Sequence, residues 1–148
     1  MADDRVRAGL AAWIGLMQTH AAVRRTLDAD LLAAHRLPLT SFEVLFQLAR
    51  TGEGTTRVSD LAERVLLSRT RLSRVLGDLE RAGFVAREGS PADARAVLVG
   101  LTADGEAMLR RATATLEASL HERFARHLSD EELALLQDIW RRLATQPG

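Results

Sequence analysis

Two amphipathic segments separated by only two residues constrain the fold of this chain more than any other feature of its sequence. The first segment reads VSDLAERV and the second reads SRTRLSRVLGDLERAGF, with Leu66 and Leu67 between them. In each segment the apolar residues recur at the spacing that places them on one face of a helix. Ser59 and Ser68 stand where N-caps are expected, and Gly83 stands where a left-handed C-cap is expected. The pattern predicts a helix-turn-helix.

The second segment is also strongly basic. The chain has 20 basic and 20 acidic residues and no formal net charge, but RVLLSRTRLSR, residues 64–74, carries four arginines and no acid. A helix fits the DNA major groove, where arginine binds guanine, while hydroxyl groups and backbone N–H groups hold phosphates. DNA contacts are therefore predicted from the start of the second helix, at Ser68, Arg69, Thr70, Arg71 and Arg74. The alternative is an ordinary solvated helix face.

Two β-prone runs follow the helix-turn-helix and flank a turn. FVARE and AVLVGL enclose GSPADA, which is rich in turn-forming residues. A helix-turn-helix followed by a hairpin forms a winged helix. Arg95, near the hairpin tip, is predicted to enter a narrow minor groove, whose negative potential attracts arginine. Asp93 is predicted to hold an arginine by a charge-assisted pair and so to fix the loop. The alternative is an ordinary turn with a surface ion pair.

Long helical segments lie on both sides of this centre. From about residue 4 to residue 34 apolar residues recur at three- and four-residue steps. A helix of this length spans ~45 Å, which is too long for a compact monomer to cover, so we expect a second copy to cover it. Three further capping sites are predicted for the other helices: Thr40 with Glu43, Thr102, and Ser129 with Glu132.

The hairpin carries a specific pattern. The stretch DARAVLVGLTADG, residues 93–105, matches the wing signature of the MarR family of transcriptional regulators, and the preceding run and flanking helices resemble that family in order and length. The resemblance implies a homodimeric repressor or activator that reads a palindromic operator in double-stranded DNA and is often released by a small aromatic or anionic ligand. By position, Ser68–Ala82 is the recognition helix, and Arg57 contacts the DNA backbone.

The expected fold is mainly α-helical with a small β-hairpin wing. It is a winged helix-turn-helix flanked by N- and C-terminal dimerisation helices. Within one composite domain, residues 1–36 are the N-terminal dimerisation helix, residues 37–102 the DNA-binding lobe, and residues 103–148 the C-terminal dimerisation helices.

The same resemblance indicates where a ligand would bind. Family pockets lie between the dimerisation helices and the DNA-binding lobe. Candidate contacts there are Trp13, Met17, His20 and Glu43. In a urate-responsive branch a carboxylate faces two arginines, and Glu43, Arg74 and Arg87 occupy comparable positions. The alternatives place Trp13 and Met17 in a dimer core, leave His20 on the surface, and assign Glu43 to a helix cap.

Several classes of protein are excluded by what the sequence lacks. It has no cysteine, which excludes disulfides, thiolate metal sites and cysteine redox sensing. No apolar stretch reaches the ~18 residues of a membrane helix, and the N-terminus does not resemble a signal peptide, so a soluble cytoplasmic protein is expected. The four histidines form neither an HExxH pattern nor an i, i+4 pair, and no Gly-rich phosphate loop is present, so we expect neither an enzyme nor a cofactor.

Two other interpretations stay open from the sequence. One is a metal-sensing winged helix that uses His121 and His127, although their six-residue spacing misaligns them on a helix. The other is a helical protein-interaction module without DNA binding, which the arginine-lined helix face argues against.

Overall fold

The computed structural model describes residues 2–52 and 54–145, where the backbone forms six α-helices and three short strands. The helices are α1 (Ala2–His35), α2 (Leu39–Ala49), α3 (Val58–Arg64), α4 (Arg69–Arg81), α5 (Ala103–Arg123) and α6 (Asp130–Ala144), and the strands are β1 (Thr55–Arg57), β2 (Val85–Gly89) and β3 (Val97–Leu101). A short 3-10 helix, Ala125–His127, lies between α5 and α6. The mainly α-helical winged helix-turn-helix that the sequence predicts is confirmed.

Two compact units divide the described chain. The central unit comprises residues 28–115, and the helical unit comprises residues 2–27 and 116–145. Helices α1 and α5 therefore each contribute residues to both units. The functional limits at residues 36 and 102 stay predictions.

A continuous core holds the central unit together. Its largest fully buried side chains come from α1, α2, α3, α4 and β3: Leu31, Val44, Leu45, Leu61, Leu72, Leu76 and Val99. Burying a leucine of this size stabilises the fold by about 1.5–3 kcal/mol. Because α3 and α4 each direct apolar side chains into this core, the opposite face of each helix is exposed to solvent.

The helical unit leaves half of its described large apolar side chains exposed. On α1 these are Val6, Leu10, Trp13, Ile14, Leu16 and Met17, and on α6 they are Leu135, Trp140 and Leu143. Among its described residues only Leu27 and Ser119 are buried. No helix among the described residues combines the length and the apolar character that crossing a membrane requires. Within the described chain, no other element covers these apolar side chains of α1 and α6.

The wing belongs to a three-stranded antiparallel sheet with the order β1-β3-β2. Arg57 lies opposite Leu98 in one pair of strands, and Val85 lies opposite Leu101 in the other. The sequence does not predict β1, because three residues are too few to show an alternating pattern. Gly100 is required in this sheet, because a Cβ there would overlap the backbone carbonyl oxygen of Gly54.

Three of the predicted N-caps, Ser68, Thr102 and Ser129, are confirmed. Each hydroxyl oxygen accepts a hydrogen bond from the backbone N–H three residues further on, at 3.2, 3.0 and 3.2 Å respectively. Ser129 and Glu132 complete the reciprocal capping box. Gly83 has a φ of +80° just after the C-cap of α4, which is the left-handed conformation expected there.

The capping box predicted at Thr40 and Glu43 is wrong. Helix α2 begins at Leu39, two residues earlier than a cap at Thr40 predicts, and its N-cap residue is Pro38, which makes no side-chain cap. Instead the Asp28 carboxylate accepts a hydrogen bond from the Leu39 backbone N–H at 2.8 Å. Asp28, eleven positions upstream, thus satisfies a free N–H group at the start of α2. Local sequence patterns do not reveal a partner at this distance.

The cap predicted at Ser59 is also wrong. Helix α3 begins at Val58, and its N-cap residue is Arg57, which makes no side-chain cap. Strand β1 ends at Arg57 and runs directly into the helix. Ser59 therefore lies inside the first turn of the helix, because no loop separates the strand from α3.

Four residues, Gly83, Phe84, Thr102 and Gly105, join the end of α4 to the start of α5, and we refer to them as the joint. The Thr102 hydroxyl donates to the Gly83 carbonyl oxygen at 2.6 Å, and the Thr102 backbone N–H donates to the Phe84 carbonyl oxygen at 3.1 Å. A Cβ at Gly105 would overlap that same Phe84 carbonyl group. Only glycine allows α5 to approach this closely.

Replacing Gly105 by alanine should destabilise the protein. The added methyl group meets backbone rather than a movable side chain, so we expect a loss near the upper end of the 1–3 kcal/mol typical of overpacking, about 3 kcal/mol. Urea denaturation measures the free energy of unfolding. Gly9→Ala is the matched control, because its Cβ enters open space within α1 and should be neutral or stabilising by up to ~1 kcal/mol. Equal effects in both variants would contradict the close approach.

Candidate nucleic-acid interface

Helix α4 has one buried face and one exposed polar face. Leu72, Leu76 and Leu79 are buried in the central unit. The exposed side chains at the start of the helix are those singled out from the sequence: Ser68, Arg69, Thr70, Arg71 and Arg74. The Ser68 hydroxyl also caps the helix, which fixes where its first turn begins.

The arginines of this region divide into paired and unpaired groups. Within the described residues, the side chains of Arg69, Arg71 and Arg74 form no ion pair and no hydrogen bond. Arg81, near the other end of the same helix, is paired with Asp78. The unpaired positive charge therefore lies at the N-terminal end of α4, which is the end that enters the groove in helix-turn-helix proteins.

The loop between β2 and β3 is fixed by Asp93. One carboxylate oxygen of Asp93 accepts a hydrogen bond from the Arg95 backbone N–H at 3.0 Å, and the Asp93 backbone carbonyl accepts another from Ala96 at 3.0 Å. The Arg95 side chain is exposed and forms no ion pair with any described residue. The loop thus presents a free guanidinium group on a fixed turn.

The arginine partner of Asp93 is Arg57. Its Nη1 lies 3.8 Å from the second carboxylate oxygen of Asp93, and both side chains are nearly half exposed. Arg57 ends β1 and precedes α3, so this ion pair links the loop of the wing to the start of the helix-turn-helix. Sequence spacing does not reveal the pair, because the two residues are brought together by the pairing of β1 with β3.

Arg87 on β2 is held by Glu80 of α4. Its Nε and Nη2 donate to one Glu80 carboxylate oxygen at 3.0 and 2.6 Å. The hydrogen bond from Arg87 lowers the pKa of Glu80 below its ordinary value, although partial burial opposes this shift. The pair ties α4 to the wing. Local sequence patterns do not identify Glu80, because Glu80 and Arg87 lie on different elements, seven positions apart in the chain.

The residues predicted to contact a ligand lie on three elements. Trp13, Met17 and His20 are exposed on α1, Glu43 is half-buried on α2, and Arg87 is on β2. The carboxylate that holds Arg87 is Glu80. A common role for these five residues in ligand binding stays a prediction.

The histidines proposed for a metal site belong to different elements. His121 lies in the last turn of α5, and His127 ends the 3-10 helix. In residues 2–52 and 54–145, no three histidine, aspartate or glutamate side chains form a group that could hold a metal ion. The metal-sensing alternative therefore gains no support from this arrangement.

Comparison with known proteins connects this geometry to one family. A family model described as MarR family matches residues 35–96, from the end of α1 into the wing loop. An HTH-type transcriptional regulator from Bacillus cereus is 32% identical over 113 residues, which cover 76% of this chain and 74% of that protein. The transcriptional regulator HosA from Escherichia coli O111:H- is 36% identical over 83 residues, 56% of this chain and 61% of HosA. The match with HosA thus spans less than two thirds of that protein's length.

A similar fold is present in a solved complex with DNA. The crystal structure of a MarR family transcriptional regulator from Streptomyces coelicolor, in complex with DNA, matches with a TM-score of 0.83 and 27% identity. The match covers 94% of this chain and 92% of that one. It therefore includes the helix-turn-helix, the wing and most of the flanking helices.

Removing the Asp93 carboxylate should loosen the wing loop without unfolding the protein. Asp93→Ala removes the acceptor for the Arg95 N–H and the partner of Arg57, whereas Asp93→Asn keeps a side-chain acceptor. We expect a lower NMR order parameter for the Arg95 amide in Asp93→Ala than in Asp93→Asn. The free energy of unfolding should change by less than about 1 kcal/mol, because the ion pair is exposed.

Asp138→Ala serves as the control for this measurement, because it removes two ion pairs within α6 instead. The Arg95 order parameter should then equal that of the unmodified protein. An unchanged value in Asp93→Ala as well would show that Asp93 does not order the loop.

Proposed function

This chain is a transcriptional regulator of the MarR family and not an enzyme, and we propose that it represses transcription as a homodimer on a palindromic operator until a small ligand releases it. The single observation that carries DNA binding is the unpaired group Arg69, Arg71 and Arg74 on the exposed start of α4. Arginine that has no protein partner is available to phosphates and guanine edges. Because it acts on DNA, the protein works in the bacterial cytoplasm.

Base reading is assigned to the first turns of α4. Arg71 and Arg74 are the candidates for direct contact with base edges, since both are exposed on the polar face. Ser68, Arg69 and Thr70 lie at the helix start, where hydroxyl and backbone N–H groups suit phosphates. We favour this function over a module that binds only protein, because the unpaired charge lies at the helix end that enters the major groove in helix-turn-helix proteins.

The wing supplies a second contact. Arg95 projects from a turn that Asp93 fixes, and its guanidinium is not occupied by any described carboxylate. A narrow minor groove attracts such a group. Arg57 holds Asp93 from the other side and is itself nearly half exposed, so we assign it a backbone phosphate contact beside the wing.

Dimerisation is assigned to the helical unit and its flanking segments, residues 1–36 and 103–148, and DNA binding to residues 37–102. The exposed apolar side chains of α1 and α6 include both tryptophans, Trp13 and Trp140. Covering such a surface with a second copy removes it from water at a gain of about 25 cal/mol per Å². A twofold dimer would place two recognition helices about 34 Å apart, one turn of B-DNA, which requires a palindromic operator.

The releasing ligand is proposed to be a small aromatic or anionic compound. Trp13, Met17 and His20 offer an aromatic ring, a thioether and an imidazole on one helix, and Glu43 and Arg87 offer charges. Arg87 is of interest because it already ties α4 to β2 through Glu80. An anion that competed with Glu80 for this guanidinium would loosen the recognition helix from the wing.

Replacing single arginines should separate base reading from general attraction to DNA. With an operator selected from genomic fragments, Arg71→Ala or Arg74→Ala should cost ~1–3 kcal/mol of binding and relax sequence preference. Arg95→Ala should weaken binding while the protein still sediments as a dimer. Arg81→Ala is the matched control on the same helix, because Arg81 is already paired with Asp78.

Fluorescence anisotropy across a range of salt concentrations measures these affinities. Counterion release predicts that affinity falls steeply as salt rises. A flat salt response, or equal losses in Arg81→Ala and Arg74→Ala, would contradict the DNA interface.

Ligand binding should raise the melting temperature. A ligand present at one hundred times its Kd stabilises the folded protein by about 2.7 kcal/mol, which a thermal-shift screen with urate, salicylate and benzoate would detect. Benzamide, which is neutral, is the control for the anionic group. Trp13→Ala and Arg87→Gln should each reduce the shift. If none of the three acids stabilises the protein, the proposed class of ligand is wrong.

A further inference from the structure

Leu66 is the most exposed large apolar side chain of the described residues, with a relative exposure of 103%. Its neighbours differ from it, because Val65 is buried and Leu67 is half-buried. Val65 and Leu67 therefore anchor the turn to the core. The fold itself does not require an apolar side chain at position 66, because Leu66 is fully exposed.

Leu66 lies in the turn between α3 and α4, two residues before the N-cap Ser68. Two residues of chain span at most about 7 Å, so the side chain lies beside the helix end that enters the major groove in helix-turn-helix proteins. The charged residues within three positions of Leu66 are Glu63, Arg64 and Arg69. Neither arginine forms an ion pair with any described residue. Leu66 is thus an exposed apolar group next to two unpaired arginines.

The other exposed apolar side chains of the central unit have different surroundings. Leu32, Phe46 and Val97 are each less than half exposed. Phe46 also stacks on Phe42 and lies under the guanidinium of Arg50, at 6.0 and 5.8 Å between the respective centres. Leu66 makes no comparable contact within the described chain.

The chemistry of the major groove offers one apolar partner on the base edges, the C5-methyl group of thymine. We propose that Leu66 is a specificity-determining residue that packs against the C5-methyl group of a thymine next to the bases contacted by α4. The inference rests on the proposed DNA binding. It adds an apolar base contact by Leu66 to the base contacts proposed for the arginines. Each half-site would then require thymine at one position that no arginine contacts.

Methyl deletion in the DNA tests this contact directly. Duplexes selected by the full-length protein would be scanned by replacing each thymine with deoxyuridine, which lacks only the C5-methyl group. At one position in each half-site the unmodified protein should bind about fourfold more weakly, the worth of one buried methyl-sized group. Leu66→Ala should lose affinity for the thymine duplex by a similar factor and should show no further loss with deoxyuridine.

Leu66→Met is the conservative control and should keep a measurable penalty for deoxyuridine. The thermal midpoint should not change in either variant, because the side chain is fully exposed. If Leu66→Ala shows the same deoxyuridine penalties as the unmodified protein at every thymine, or weakens all sequences equally, the proposed contact is wrong. If the unmodified protein selects no duplex at all, DNA binding itself is refuted and this contact with it.

Discussion

The close approach of α5 to the chain between α4 and β2 is the constraint on which the rest of this structure depends. Thr102 bonds to the carbonyl groups of Gly83 and Phe84, and Gly105 leaves no side chain between the helix and Phe84. The end of α4, the start of the wing and the start of α5 therefore meet in one set of contacts. The start of α5 and the end of α4 are therefore held together by these hydrogen bonds and by the lack of a side chain at Gly105.

Ion pairs within the protein determine which arginines remain available for contacts with another molecule. Arg57, Arg81 and Arg87 are each matched with a carboxylate, and these pairs connect or brace the helix-turn-helix and the wing. The arginines at the start of α4 and Arg95 on the wing have no such partner among the described residues. A chain with no formal net charge can therefore still present a basic surface, because Asp78, Glu80 and Asp93 pair with other arginines and leave these four unpaired.

Much of the fold could be predicted from local patterns. The caps at Ser68, Thr102 and Ser129 are correct because each involves a hydroxyl and a backbone N–H three residues away. The caps at Thr40 and Ser59 fail because the chain outside the helix decides them: Asp28 satisfies the start of α2, and β1 runs directly into α3. Strand β1 is missed because it exists only through pairing with β3.

The sequence by itself determined the helix-turn-helix, the wing and the set of basic residues at the start of α4, because periodicity, caps and turn residues act over a few positions. Only the tertiary structure decided which of those residues are free. It paired Asp93 with Arg57 and Glu80 with Arg87, and it left Leu66 fully exposed in the turn. Ion pairs and burial depend on distances between segments remote in the chain, and local spacing contains no information about those distances.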